Sequence, residues 1–285
     1  MLFDKINKNH HDLHNRFIHK NVENRIPLMR KTALKKIAYI PALILGLLAL
    51  IGFAITLVLI IPFYFAVFTF SNTIKAPHLA HHYLSRNWAR LLFPIFVIRL
   101  KIINRELIDP NKTYVFIANH RSMLDIPAFA LSCNNTFRFL AKKELTKIPG
   151  LGWIIERLYI SVDRKDQQER AKSMAKMKKS LIDGISVFIC PEGTRNTSTK
   201  PLLPFKDGAF RLAIEAQVPI AVLTVIDSDK RLSPLHPLAL FPGPMTCIWH
   251  EPISTTGMTM NDVSALKSKA AEIMLLHLNE NRLNP

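Results

Sequence analysis

The sequence predicts an α/β domain with a mixed, largely parallel sheet flanked by helices, preceded by an N-terminal hydrophobic helical element that anchors it to a membrane. Three observations carry this prediction. From Ile37 to Ile74 there is no Lys, Arg, Asp, Glu or His, and the run is longer than the ~20 residues a helix needs to cross a bilayer. From residue 101 onward, apolar stretches of strand length alternate with longer segments of helical periodicity, as strands joined by helical crossovers do. Several of those strands run straight into polar turns, and α/β sheets bind ligands along the edge where their strands end.

The segments divide in order. Residues 1–36 are a polar tail with nine Lys or Arg against three acids. Residues 37–100 read as a membrane-associated helical region. A secretory signal has a shorter apolar core nearer the terminus, so the element reads as retained. Pro41 and Pro62 allow one long helix or a bend near Pro62. Arg30, Lys31, Lys35 and Lys36 precede the run, and Lys75, Arg86 and Arg90 follow it. Basic residues on both sides fit an element that enters and leaves on one face, which places the active site on the cytoplasmic side. Within 78–100, Leu84, Trp88, Leu91, Leu92 and Ile95 recur at helical spacing. That face suits either a headgroup layer or a protein core.

Residues 101–285 form the α/β domain. Strands are expected at Tyr114–Ala118, Phe137–Leu140, Tyr159–Val162, Ser186–Ile189, Ile220–Val225 and Met245–Trp249. Helices are expected at Ile126–Leu131, Gln168–Ile182, Gly208–Ala216 and Asp262–Leu278. Three widely spaced cysteines, Cys133, Cys190 and Cys247, make neither a disulfide framework nor a zinc pattern; Cys133 and Cys190 sit in or beside apolar stretches, as buried thiols in a reducing compartment do. The net charge of +17 calls for an anionic partner, and beside a membrane element anionic lipid is the simplest one. No helix-turn-helix or RNA-binding aromatic signature accompanies the charge, so nucleic acid is not expected.

Two constellations can carry chemistry. The first is "IANHRSMLD", Ile117–Asp125. Five residues on a straight helix would point His120 and Asp125 about 140° apart. They meet only if the chain turns between them, and Asp125-Ile126-Pro127 suits a helix start at that turn. A histidine held by a carboxylate on one ring nitrogen is a prepared general base on the other. Asp125 as a plain helix cap is the alternative. There is no GxSxG elbow for a protein nucleophile and no HExxH for a metal, so the base would act on a substrate hydroxyl. The second is "VFICPEGTRN", 187–196. Gly193 permits a close backbone approach or positive φ. Arg195 offers a planar fork for phosphate. Glu192 can orient that arginine or accept from a substrate hydroxyl. Arg164 closes the strand "YISVDR" in a similar place.

NH-xxxx-D, an Arg-ending strand, PEGTR and then VPI, in this order, resemble the glycerolipid acyltransferases that acylate lysophosphatidic acid. "AKKEL…IPGLGW" and "FKDGAF" look like family sequence too, and the resemblance covers roughly residues 75–255. It implies transfer of an acyl group from acyl-CoA or acyl carrier protein to a glycerol hydroxyl, with no cofactor beyond that donor and no metal. It makes His120 the general base and Asp125 its partner, with Arg164, Glu192, Gly193, Thr194 and Arg195 holding the acceptor and its phosphate. Val222 stands where the family's fourth motif often has a second proline. Another lysophospholipid, glycerol-3-phosphate or an amino-acid lipid remains open as acceptor. A membrane-tethered binder of anionic lipid or nucleic acid is the reading from another class; it leaves the two motifs without a purpose.

Overall fold

The computed structural model describes residues 39–72, 75–163 and 166–283. The basic tail 1–36 and Arg164 lie outside them. Helix α1, Tyr39–Phe70, runs unbroken through Pro41 and Pro62. After it come α2 (Lys75–Leu79), a π-helical stretch (Ala80–Ser85) and α3 (Arg86–Ile95). The domain then proceeds β1 (Ile98–Ile103), β2 (Val115–Ala118), α4 (Asp125–Ser132), β3 (Phe137–Lys142), α5 (Leu151–Leu158) and β4 (Ile160–Val162). It ends α6 (Gln167–Ile182), β5 (Ser186–Ile189), α7 (Gly208–Ala216), β6 (Ile220–Ile226), α8 (Ser228–Arg231), β7 (Gly243–Trp249) and α9 (Val263–Leu283).

The seven strands form one sheet in the order β1-β7-β6-β2-β5-β3-β4. Every neighbouring pair is parallel except β6 and β7. Alternation along each strand sorts its residues between two cores. Phe116 and Ala118 of β2 join one layer with Phe129, Phe137, Phe139, Phe188 and Trp249, under α3 and α4. Val115 and Ile117 point the other way, into a layer closed by α6, α7 and α9. Strands buried on both faces are apolar throughout, so β2, β5 and β6 are nearly all hydrophobic.

Strand β1 corrects the expectation that 78–100 is helical throughout. Helix α3 stops at Ile95, one residue after Pro94, and Val97 turns the chain with φ +53°. Ile98-Arg99-Leu100-Lys101 then alternates at strand period and pairs with β7. Helix α3 is a packing helix: Ala89, Leu92 and Phe93 are buried, and Trp88 stacks on Phe53 and donates to Thr56 Oγ1 at 3.0 Å.

Helix α1 lies along the domain. Ala42, Ala49, Leu57 and Tyr64 form its buried stripe, recurring every seven or eight residues as one helix face does. The contact begins with Leu240 N donating to Ala42 O at 2.9 Å and continues to Tyr64 Oη and Ser85 Oγ, 2.8 Å apart. At Gly46 the backbone of Leu238 occupies the space that any Cβ would need. The opposite face is apolar and open, with Ile44, Leu48, Ile51, Ile55, Val58, Leu59 and Phe63 exposed.

Candidate active site

The site sits where the central parallel strands β2 and β5 end side by side. Beyond β2, buried Asn119 replaces one more rung of sheet: its side chain donates to Val225 O (2.8 Å) and accepts from Val225 N (2.7 Å). That pins the turn to β6 and delivers His120 to the sheet edge. The turn between His120 and α4 then brings the ring to the carboxylate, and His120 Nδ1 lies 2.8 Å from Asp125 Oδ2.

Asp125 is the first residue of α4, yet its carboxylate does not cap that helix. It reaches back, and Oδ2 also accepts from Arg121 N (2.7 Å) and Ser122 N (2.8 Å). Burying a carboxylate without such donors would be costly, and Asp125 is fully buried. Ser122 locks the turn again by donating to Leu232 O at 2.7 Å and accepting from Leu124 N at 3.2 Å. With Nδ1 committed to Asp125, the ring nitrogen left for chemistry is Nε2, on a side chain 15% exposed.

The PEGTR turn after β5 braces this histidine through its backbone. Glu192 Oε1 accepts from His120 N at 2.9 Å, and Oε2 accepts from Leu203 N at 2.8 Å. Glu192 is 3% exposed, and burial raises its carboxyl pKa despite the two N–H donors that pull the other way. Of the two uses read from sequence, orienting Arg195 or meeting a substrate hydroxyl, the first is not seen, because no contact joins Glu192 to Arg195 among the described residues. Both oxygens hold backbone. The loop after the turn closes back through Asn196 N, which donates to His120 O at 2.7 Å.

Gly193 has φ +72°, where residues with a side chain are strained. Thr194 is exposed and Arg195 half-buried on the same turn. The structure therefore brings His120, Asp125, Glu192, Gly193, Thr194 and Arg195 to one edge. Sequence reasoning missed Asn119 and Arg121. The Arg121 guanidinium donates through Nε to Asp229 Oδ2 at 2.7 Å and to the carbonyls of Ser198 (3.2 Å) and Lys200 (2.9 Å). It ties the loop over the site to α8. Nothing local in the sequence marks these partners. Among the described residues, no group of three or more His, Cys, Asp or Glu is placed to hold a metal ion.

This arrangement of strand, turn and fold has counterparts. The Acyltransferase family model matches residues 99–226. The chain is 34% identical over 194 residues to an uncharacterized acyltransferase of Schizosaccharomyces pombe, covering 67% of this chain and 69% of that one. It is 31% identical over 216 residues to the 1-acyl-sn-glycerol-3-phosphate acyltransferase of Saccharomyces cerevisiae, covering 73% of this chain and 69% of that protein. In fold it is similar to the crystal structure of PlsC, the 1-acyl-sn-glycerophosphate acyltransferase of Thermotoga maritima. The TM-score is 0.74 at 23% identity, over 86% of this chain and 98% of that one.

Proposed function

The chain belongs to the acyltransferase family, with the 1-acylglycerol-3-phosphate acyltransferases, and from that premise we propose that it transfers a fatty acyl group to the free hydroxyl of 1-acylglycerol-3-phosphate, giving phosphatidic acid. The observation that supports this best is the 2.8 Å contact of His120 Nδ1 with buried Asp125, which leaves Nε2 as the base. His120 Nε2 takes the hydroxyl proton as the oxygen attacks the thioester carbonyl. The C–O bond forms, the tetrahedral intermediate collapses, and the C–S bond breaks to release the thiol of the donor. No acyl-enzyme is needed. Asp125 fixes the tautomer and stabilises the imidazolium as it forms. Backbone N–H groups or neighbouring polar side chains stabilise the oxyanion, which is usually the largest single contribution. Arg195, with Arg164, holds the acceptor phosphate. The acyl donor is acyl-CoA or acyl carrier protein.

The lysolipid acceptor resides at a bilayer, and α1 is the element that keeps the enzyme there. Its length is about 48 Å, and the domain is docked along it from Ala42 to Tyr64. A helix so docked lies in one leaflet with its open apolar face in the acyl chains, and the basic residues after it stay at the headgroups on the cytoplasmic side.

The test is an assay of purified protein with labelled acyl-CoA or acyl carrier protein as donor and a panel of acceptors. Phosphatidic acid should form fastest from 1-acylglycerol-3-phosphate. Tight binding of the lysolipid without product from either donor would instead support a non-catalytic lipid binder.

A further inference from the structure

Lys206 is absent from every role assigned so far. It is an exposed residue, yet its side chain is not extended into solvent. It is folded onto the PEGTR turn. A Cβ built on Gly193 would lie 2.8 Å from Lys206 Cε and 3.0 Å from both its Cδ and its Nζ. The missing side chain of Gly193 is therefore the seat of the lysine stem. The segment beneath is fixed too, because Lys206 N donates to Pro191 O at 2.8 Å and Leu203 N to Glu192 Oε2 at 2.8 Å. Glu192 in turn holds the backbone of His120.

The neighbouring acids do not neutralise this ammonium. Both oxygens of Glu192 are bound to backbone N–H groups, and Asp207 pairs with Lys267 at 2.6 Å. Among the described residues, neither Lys206 Nζ nor the Arg195 guanidinium has a hydrogen-bond or ion-pair partner. Lys206 is pressed onto Gly193, one residue from the carboxylate that holds the His120 backbone and two residues from Arg195, and its ammonium is left for a partner from outside the protein.

We infer that Lys206, seated in the notch of Gly193, is a ligand of the acceptor's phosphate monoester and sets the preference for phosphate-bearing acceptors. This rests on the proposed acyl transfer for the identity of the acceptor. A doubly charged phosphate meeting the Lys206 ammonium makes charge-assisted hydrogen bonds that a hydroxyl headgroup does not. Gly193 accordingly serves twice, once for its positive φ and once for the room it leaves.

The test uses Lys206→Met and Lys206→Arg in the full chain, since an exposed methionine keeps the stem and the fold. Steady-state rates in mixed micelles give KM for 1-acylglycerol-3-phosphate and for the thioester. Titration of the same proteins with 1-acylglycerol-3-phosphate and with monoacylglycerol gives Kd without any need for turnover. In Lys206→Met, KM and Kd for the phosphate-bearing lipid should rise about 10- to 100-fold, with kcat and thioester KM within about twofold. Monoacylglycerol binding should not change, and Lys206→Arg should recover part of the loss. Unchanged KM and Kd in Lys206→Met, or equal weakening of both lipids, overturns the inference and leaves acyl transfer standing. Protein that loses phosphate-dependent binding in Lys206→Met, but whose wild type forms no phosphatidic acid, ends the acyl-transfer reading and leaves the Lys206 site standing.

Discussion

The two turns at the sheet edge differ in how their polar groups are used. In the His120 turn, the peptide N–H, the carbonyl and Nδ1 all have partners inside the protein. In the PEGTR turn, Glu192 is committed in the same way, but Thr194 is exposed and Arg195 and Lys206 carry charges with nothing bound among the described residues. The closed turn is built for a group that must be in one place before the substrate arrives. On the His120 ring, Nε2 is the nitrogen that Asp125 leaves open. In the proposed reaction, the open turn holds groups whose partner comes with the substrate. The proposed function thus divides preorganisation and binding between neighbouring strand ends.

The largest expected effect comes from opening the closed turn. Asp125→Asn keeps the shape but lets an amide face Nδ1 and the two backbone N–H groups. Turnover should fall by about 10³- to 10⁴-fold, read as kcat on folded protein. Glu192→Gln comes next. One end of the amide then presents a donor to a backbone N–H, at His120 or at Leu203, and leaves it buried and unpaired. A cost of roughly 1–3 kcal/mol should appear as a lower Tm, with kcat reduced in step because His120 loses its brace. A Tm and kcat equal to wild type would show that the brace is dispensable. Arg121→Met loosens the loop of Ser198 and Lys200 without touching the ring. A loss of about tenfold or less in kcat/KM is expected, with Asp229 left unpaired.

His81 sharpens the contrast from another side. Unlike His120 it is buried with neither ring nitrogen hydrogen-bonded, and it packs edge-on against Phe137 at 4.3 Å. Burial, followed by the charge of Arg86, pushes its pKa down to about 3. The folded pKa is depressed below the ordinary value of 6.5, so the unfolded chain takes up a proton first as pH falls. The stabilisation is present above about 6.5 and is lost as pH drops from there towards 3. Tm measured from pH 7.5 to 4.5 should therefore fall less steeply in His81→Phe than in wild type. Parallel curves would contradict the assignment.

How much of this was legible follows from where each partner lies in the chain. Strands β2, β5 and β6 are buried on both faces, so each is an apolar run with polar boundaries, and their positions could be read directly. The His120–Asp125 pair spans five residues, and its spacing alone demands a turn. Strand β1 was hidden because it follows a helix with only two residues between, and the positive φ of Val97 leaves no mark in a valine. Helix α5 is only eight residues long, too short for periodicity to separate it from the loop before it. The reversed direction of β7 has no local signature either. Asn119 and Arg121 bind groups more than seventy residues away, at Val225, Asp229, Ser198 and Lys200, so their roles depend on the folded sheet. Lys206 was visible within "FKDGAF" as family-like sequence, but its place over Gly193 is a fact of three dimensions.

The central claim is that His120 and Asp125 act as one unit in proton transfer. It is tested most directly by kcat for His120→Ala, Asp125→Asn and the double variant, each shown to be folded by circular dichroism and Tm. The account predicts that the double variant is no slower than His120→Ala alone, because a carboxylate that works only through the ring has nothing left to do without it. Losses that multiply, or a folded His120→Ala protein with turnover near wild type, would contradict it.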